Sequence, residues 1–421
     1  MLAIKPRLVW AATPSCQPKP SNIMTTLPSI HLIIVTGQAQ ANLIPILQLK
    51  PAIVALAISE SMRENAKVFV KLLTKLANYK DADILPFAVP DAGFEAIRYR
   101  ALEIEDELRR NYRNSPITYH ATGGTKIMAL GFYQVFQGQS DTVLYTDTVH
   151  GQIETLHPEK APAIMIGKVL TIESYLLSMD KTYRKHADAA WENKARQRRS
   201  LSFWLVQNIE DLQDFWPAMN KLVQDALAKE QRGVPPSLVR PEQQFDRNPT
   251  NVLWQQALKK IAEAGICQWD NQKPEVLYFD NPDGAKYLGG AWIEEYVWLT
   301  ASELGCEQVW ANVEFTEAAS PKDDIRNEMD CLILHNNRLS MIECKTSKFT
   351  NGQSRNSDIL YKLKTLEHSA GGLFGDAWLI SALKLDEKTQ NRAREYKINV
   401  IDSTKLNTLQ DAIRNWMNRK Q

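Results

Sequence analysis

Two acids and a lysine near the carboxyl end have the spacing of a metal-assisted hydrolytic centre. In the stretch Glu328-Met-Asp-Cys-Leu-Ile-Leu-His-Asn-Asn-Arg-Leu-Ser-Met-Ile-Glu-Cys-Lys-Thr346, two apolar runs flank the pair Asn336-Asn337. That pattern predicts a β-hairpin with a type I′ loop, whose two central residues need positive φ, a conformation Asn tolerates. Counting back from the loop sets Asp330 opposite Glu343 and Glu328 opposite Lys345. Side chains alternate along a strand, so Asp330, Glu343 and Lys345 share one face while Cys331 and Cys344 take the other. Carboxylates facing across a ladder have Cβ atoms about 4.5–5.5 Å apart and repel. Their neighbours are Leu, Ile and Met, so solvent does not relieve the conflict cheaply. A divalent cation between Asp330 and Glu343 would, and oxygen ligands suit Mg²⁺ or Mn²⁺. Lys345 could then orient or help deprotonate a metal-bound water, an arrangement fit for phosphodiester hydrolysis. The bland alternative is a surface hairpin with solvated charges.

A second group sits far upstream, in His120-Ala-Thr-Gly-Gly-Thr-Lys126. Gly123 and Gly124 let the backbone approach a ligand closely, Thr122 and Thr125 offer hydroxyls, and Lys126 puts a cation where a helix starts. Exposed N–H groups at a helix start favour an anion such as phosphate. A lysine there does not complement the helix dipole, which favours a ligand-binding role. The loop lacks the GxxxxGK(S/T) spacing of a P-loop, and no GxGxxG follows the first strand, so NTPase and hydride-transfer readings lose weight. The bland alternative is an ordinary Gly-Gly turn.

The elements that must carry these groups alternate between short β runs and helical periods from His31 to about Thr148. Strands are expected at 31–36, 52–58, 84–89, 117–120 and 142–146, with helices at 42–49, 62–78, 94–112 and 126–136. This is βαβ architecture with a parallel sheet, whose ligands bind outside the carboxyl ends of the strands. The loop Thr36–Asn42 and the Gly-Gly loop both lie at those ends. From 151 to 246 the pattern is poorer: a strand near 150–156, a helix over 169–178, and a basic run, Lys181–Arg199, with aromatic interruptions. That run either tracks a nucleic-acid backbone or forms a solvated connector helix. A helix over Leu201–Glu230 leads to a Pro-containing linker. The last part is α/β again, with helices at 252–264, after Gly289-Gly290, at 358–369 and at 387–396, and strands at 309–314, 328–345, 377–381 and from 400.

At 421 residues, two or three domains are expected. Lys and Arg number 50 against 49 Asp and Glu, so any nucleic-acid contact must come from local patches. Cys16, Cys267, Cys306, Cys331 and Cys344 are scattered, which fits a reducing compartment and offers neither a disulfide framework nor a zinc site. No apolar run approaches a membrane span. Residues 1–23 are Pro-rich without a signal peptide's apolar stretch, and read as a disordered extension or a misassigned start before Met24. A cytoplasmic protein is expected.

Asp330 followed by Glu343-Cys344-Lys345 on paired strands, after a Gly-Gly-Ala-Trp-Ile-Glu294 helix, resembles the core of PD-(D/E)xK restriction-like nucleases, although Met329 stands where the motif has proline. The Thr122-Gly-Gly-Thr-Lys126 loop with the first-strand loop resembles a CARF domain, a Rossmann-like sensor. Together, and with Gly371-Gly372, they resemble the CRISPR ancillary nucleases of type III systems over nearly all of the chain after Met24. The resemblance implies an α/β chain in three parts: a CARF cyclic-oligoadenylate sensor over 24–160, a helical connector over 161–245, and a restriction-endonuclease-like domain over 246–421. It implies a homodimer that binds cyclic tetra-adenylate through Thr122, Gly123, Gly124, Thr125 and Lys126, with Gly37, Gln38 and Asn42 lining the same pocket and Ser59 and Ser61 as weaker candidates. It also implies catalytic acids at Glu294 (preferred over Glu295), Asp330 and Glu343, with Lys345 as the lysine, and Mn²⁺ or Mg²⁺ held by the three acids. The expected activity is metal-dependent cleavage of DNA, RNA or both, switched on by the ligand. The alternatives are a constitutive endonuclease, or a nucleotide-sensing DNA-binding regulator with a silent nuclease fold.

Overall fold

The computed structural model describes residues 27–138, 141–148, 150–229, 234–317, 326–347, 359–365 and 375–419. Residues 1–23, the stretch 349–357 and the Gly371-Gly372 pair fall outside the described residues.

The first sheet grows from continuous apolar runs. β1 (Ile30–Ile34) and β2 (Ile53–Ile58) are buried along almost their whole length, as strands of a parallel sheet covered on both faces must be. With β3 (Ile84–Ala88), β4 (Ile117–His120) and β5 (Thr142–Asp147) they form the parallel part of a seven-stranded sheet. The order is β3-β2-β1-β4-β5, and β6 (Gln152–His157) and β7 (Ile164–Met165) continue it antiparallel. Helices α1 (Ala39–Leu49), α2 (Arg63–Leu76), α3 (Phe94–Asn111) and α4 (Lys126–Phe136) make the crossovers. The chain reverses direction of travel across the sheet between β1 and β4. Loops leaving those two strands therefore open a crevice at their carboxyl ends. Strand residues of one parity (Ile30, Leu32, Ile34) pack under α3 and α4, and those of the other (Ile33, Val35) under α1, α2 and α5 (Ile172–Ser178).

The second sheet has six strands in the order β16-β15-β14-β13-β12-β8. Its centre is the expected hairpin, β13 (Arg326–His335) and β14 (Arg338–Lys345), flanked by β12 (Gln308–Glu317), by β15 (Gly375–Ser381) and by β16 (Asn399–Ile401). The stretch 161–245, expected as a helical connector, does more than connect. Its α5 lies between the two sheets, and Lys181–Lys185 is β8, the edge strand paired with β12. The basic run is thus a strand followed by α6 (Ala189–Gln207), not one solvated helix. The single helix expected over Leu201–Glu230 is two, because Asn208 Nδ2 donates back to Trp204 O at 2.8 Å and closes α6 before α7 (Phe215–Ala226) begins.

One face of the six-stranded sheet (Cys331, Ile333, Ile342, Cys344) packs on α6, α7, α8 (Val252–Glu263), α10 (Trp292–Glu303) and α13 (Leu409–Asn418). A small sheet of β9 (Glu242–Gln244), β10 (Gln268–Trp269) and β11 (Val276–Tyr278), with the short helix α9 (Pro282–Lys286), flanks this layer. Trp216 stacks on Trp292 with centroids 4.3 Å apart, and each buried side chain of this size contributes about 1.5–3 kcal/mol. The other face (Leu332, Leu334, Leu339, Met341) joins α5, α12 (Glu387–Glu395), Leu360 and Leu363 of α11 (359–365), and residues of α1 and α2 in one cluster. The two sheets therefore share a core through α5. Among the described residues no helix is long and apolar enough to cross a membrane.

Candidate functional site

Asn336 and Asn337 take φ of 47° and 56°, and the ladder runs from His335↔Arg338 to Cys331↔Ile342. Extending that register places Asp330 against Glu343, but the ladder stops there. The next hydrogen-bonded partner of Cys344 in such a ladder would be Met329. Instead Cys344 N–H donates to the Asp330 side chain, N to Oδ2 2.6 Å. On the other side, Asn312 stands opposite Asp330 with φ +52°, interrupting the β12 register. The strands part where the two acids would meet, which is the expected response to like charges on facing positions.

Glu343 is 6% exposed and both its oxygens are taken: Lys345 Nζ lies 3.0 Å from Oε1 and Lys362 Nζ 3.1 Å from Oε2. Burial opposes the charge on Lys345, but Glu343 and Asp330 outweigh it and hold the ammonium above its ordinary pKa. Burial, then the charge of Glu343, pushes the Asp330 carboxyl up, against Lys345, the Cys344 N–H and Lys362. Glu294 enters from α10, on the cysteine face. A single π-helical turn at Tyr287–Ala291 precedes that helix, with Gly290 at φ +153°. Thr346, just past β14, donates from Oγ1 to Gly289 O at 3.2 Å and ties this turn to the end of the hairpin. Burial, then Asp330, then Glu328 raise the Glu294 carboxyl. Its neighbour Glu295 is 1% exposed and faces elsewhere, its Oε1 accepting from Arg198 Nη1 at 3.0 Å. Burial, opposed by Arg198, lifts Glu295 to about 7.

Glu294, Asp330, Glu343 and Lys345 are thus within one electrostatic neighbourhood. Among the described residues no three His, Cys, Asp or Glu side chains stand close enough to hold a metal ion as they are. The donor chemistry nevertheless fits a hard divalent cation: three crowded carboxylates, of which Asp330 is forced toward its neutral form by burial and then Glu343, and Glu294 by burial and then Asp330. Sequence reasoning missed Lys362, which lies on α11 beyond the hairpin and belongs to no spacing pattern.

The second group lies at the β1/β4 crevice. A Cβ at Gly123 would stand 2.0 Å from Ile34 O, and one at Gly124 2.6 Å from Ile34 Cγ2, with Gly124 at φ +80°. Only glycine lets this loop lie on the end of β1. Asn42 is buried beneath the loop, its Nδ2 donating to Ile34 O at 2.8 Å, so it braces the crevice floor rather than facing its open side. Thr125 caps α4 by accepting from Met128 N at 3.3 Å, and Thr122 Oγ1 accepts from Thr146 N at 2.8 Å. Gly37, Gln38, Gly124, Thr125 and Lys126 are exposed around the opening. Ser59 is buried after β2, its Oγ 3.2 Å from that of the exposed Ser61.

Polar contacts run from α1, which follows the β1 loop, through the 165–178 segment to the tip of the hairpin, the end away from Asp330 and Glu343. From α1, Gln40 Nε2 donates to Ser178 Oγ at 2.8 Å, while Gln48 accepts from Gly167 N at 2.8 Å through Oε1 and donates to Met165 O at 2.8 Å through Nε2. The same segment grips the tip of the hairpin. Asn337, 2% exposed, accepts from Val169 N and Leu170 N at 2.9 Å each and donates to Gly167 O at 2.7 Å, and its carbonyl accepts from Tyr175 Oη.

Residues 30–175 match the family model of the Card1 CARF domain, and residues 282–420 match that of the Card1-like endonuclease domain. The fold resembles that of protein VC1899 from Vibrio cholerae, at 20% identity and a TM-score of 0.75 over 93% of this chain and 98% of that one. It equally resembles Can2 from Sulfobacillus thermosulfidooxidans, solved in complex with cyclic tetra-adenylate, at 21% identity and a TM-score of 0.71 over 93% and 98% of the two chains. No curated protein matches the chain by sequence.

Proposed function

The chain belongs to the Card1-type CARF nucleases, and from that premise we propose that it is a metal-dependent nuclease of type III CRISPR antiviral defence, activated by cyclic tetra-adenylate and cleaving DNA, RNA or both. The observation that carries this reading is the crowding of Asp330 and Glu294 beside Glu343 and Lys345 where the hairpin strands part. Glu294, Asp330 and Glu343 would hold Mn²⁺ or Mg²⁺, which when bound polarises a phosphoryl oxygen and acidifies a water. The chain's own groups do the rest. Cys344 N–H fixes the rotamer of Asp330, and Lys345, held as an ammonium, orients Glu343 and can stabilise the negative charge that builds on the phosphate.

The Gly123-Gly124 loop, the start of α4 and Lys126 form the phosphate-binding rim for the ligand. Beside it, α3 and α4 expose Tyr99 (65%), Leu130 (57%) and Ile127 (41%), apolar surface suited to a second copy of the chain, so the ligand would lie across a homodimer. Ligand seated on the β1 and β4 loops would bias α1, and through Gln40, Gln48 and the 165–178 segment the hairpin tip at Asn337. We place this activity in the cytoplasm.

Replacing Lys126 by Ala tests the sensor assignment. A lost charge-assisted contact costs about 1.5–3 kcal/mol, so the ligand concentration for half-maximal cleavage should rise by about 10- to 100-fold with the maximal rate kept. An unchanged half-maximal concentration removes Lys126 from the ligand site.

A further inference from the structure

Lys362 stands on α11, which Leu360 (2% exposed) and Leu363 (fully buried) anchor in the core beside Met329, Leu332 and Met341. That anchoring aims the Lys362 side chain at the parted end of the hairpin. Its Nζ donates to Glu328 O at 2.5 Å and to Glu343 Oε2 at 3.1 Å, so it bridges both strands at the point where they separate. Unlike Glu343, the Lys362 side chain is about one-third exposed, and from its position it reaches both the acid and solvent.

Two features make this more than a surface ion pair. First, Glu343 already has a lysine on its other oxygen, so a brace for the acid is supplied without Lys362. Second, a divalent cation and Lys345 together offset the three ionised acids Glu294, Asp330 and Glu343, and the exposed Glu328, which also acts on Glu294, adds a further negative charge. Lys362 is then the cation at hand to meet the negative charge of a phosphodiester. A cation that takes Glu343 as a ligand also weakens the hold of that carboxylate on Lys362.

We propose that Lys362 is a second active-centre lysine that pairs with Glu343 when no metal is bound and turns to a non-bridging oxygen of the scissile phosphodiester when Glu343 takes the cation. The inference rests on the nuclease reading above and deepens it. Lys362 acts as a fixed charge on the substrate phosphate, a role that a guanidinium fills in part and a methyl group does not.

The test uses full-length protein with cyclic tetra-adenylate and compares Lys362→Ala, Lys362→Arg and Glu343→Gln with the parent. Mn²⁺ alone is titrated by electron paramagnetic resonance, and cleavage of plasmid DNA and single-stranded RNA is followed at saturating Mn²⁺. We expect Lys362→Ala to bind Mn²⁺ at least as tightly as the parent, because a competitor for Glu343 is gone, while kcat falls about 100-fold and Lys362→Arg recovers part of it. A bracing role alone would move Mn²⁺ affinity the other way. Weaker Mn²⁺ binding by Lys362→Ala, or cleavage at the parental rate, overturns the proposal. If Glu343→Gln also cleaves like the parent, the failure belongs to the nuclease site itself; if Glu343→Gln is inactive while Lys362→Ala is not, it belongs to Lys362 alone.

Discussion

The loop at the β1/β4 crevice and the parted hairpin, the proposed ligand site and the proposed nuclease site, are shaped by different forces. The crevice is built by steric fit: two glycines lie on Ile34, Asn42 braces the floor, and Lys126 is the one charge in the Thr122–Lys126 loop. The hairpin centre is built from charges in conflict: buried acids forced toward neutrality, with lysines on both oxygens of Glu343. A site of the first kind is ready for its ligand before the ligand arrives. On the proposed reading, a site of the second kind is incomplete until a cation settles its electrostatics, which would make it the natural point of control.

Substitutions can break this comparison from either side. The largest effect is expected at Glu343→Gln, which should cut cleavage by at least about 1000-fold while leaving cyclic tetra-adenylate affinity, measured by calorimetry, at the parental value. Lost ligand binding would show that the two sites are not separable. Next comes Gly123→Ala, whose Cβ would lie 2.0 Å from Ile34 O. The loop must shift, and strain of about 1–3 kcal/mol should weaken ligand binding by about 10- to 100-fold. Mn²⁺ affinity should stay unchanged, so an Mn²⁺ defect would argue that steric and electrostatic sites share one device.

Asn337→Ala addresses the link between them. It removes the side-chain acceptor for Val169 N and Leu170 N and the donor to Gly167 O. Stability should fall by about 1–3 kcal/mol in a denaturant titration. The rate ratio with and without ligand should fall about 10-fold, with ligand affinity within about 2-fold of the parent. A preserved ratio would mean the signal takes another path.

The smallest effect contrasts Glu294 with its neighbour. Glu295 is lifted to about 7 by burial against Arg198, so the native state holds its proton more tightly than the unfolded chain. Its stabilising contribution is full below about pH 4.5 and is lost as pH rises through 7, a change on the order of 3 kcal/mol. Thermal unfolding of Glu295→Gln, followed from about pH 5 to about pH 8, should therefore fall off less than the parent's. Parallel curves would show that Arg198 holds Glu295 ionised throughout.

Much of this arrangement is legible in the chain before any coordinates. A two-residue Asn-Asn loop permits one register, so Asp330, Glu343 and Lys345 can be put on one face by counting. The buried parallel strands stand out because they are apolar without alternation. What escapes such reading is long-range pairing. The strand Lys181–Lys185 looks like a charge run until β12 is there to pair with it. Lys362 becomes meaningful only when α11 docks, and Asn337 looks like a turn residue although its carboxamide binds a segment some 170 positions away. The parting of the hairpin at Asp330 is also invisible to a regular ladder, since it follows from repulsion and from the Cys344 N–H choosing a side-chain oxygen.

The most direct test of the account incubates the parental protein and Mn²⁺ with supercoiled plasmid and with single-stranded RNA, in the presence and absence of cyclic tetra-adenylate. Cleavage of at least one substrate is expected only when ligand and metal are both present. Cleavage at the same rate without the ligand, or none under any condition, would contradict it.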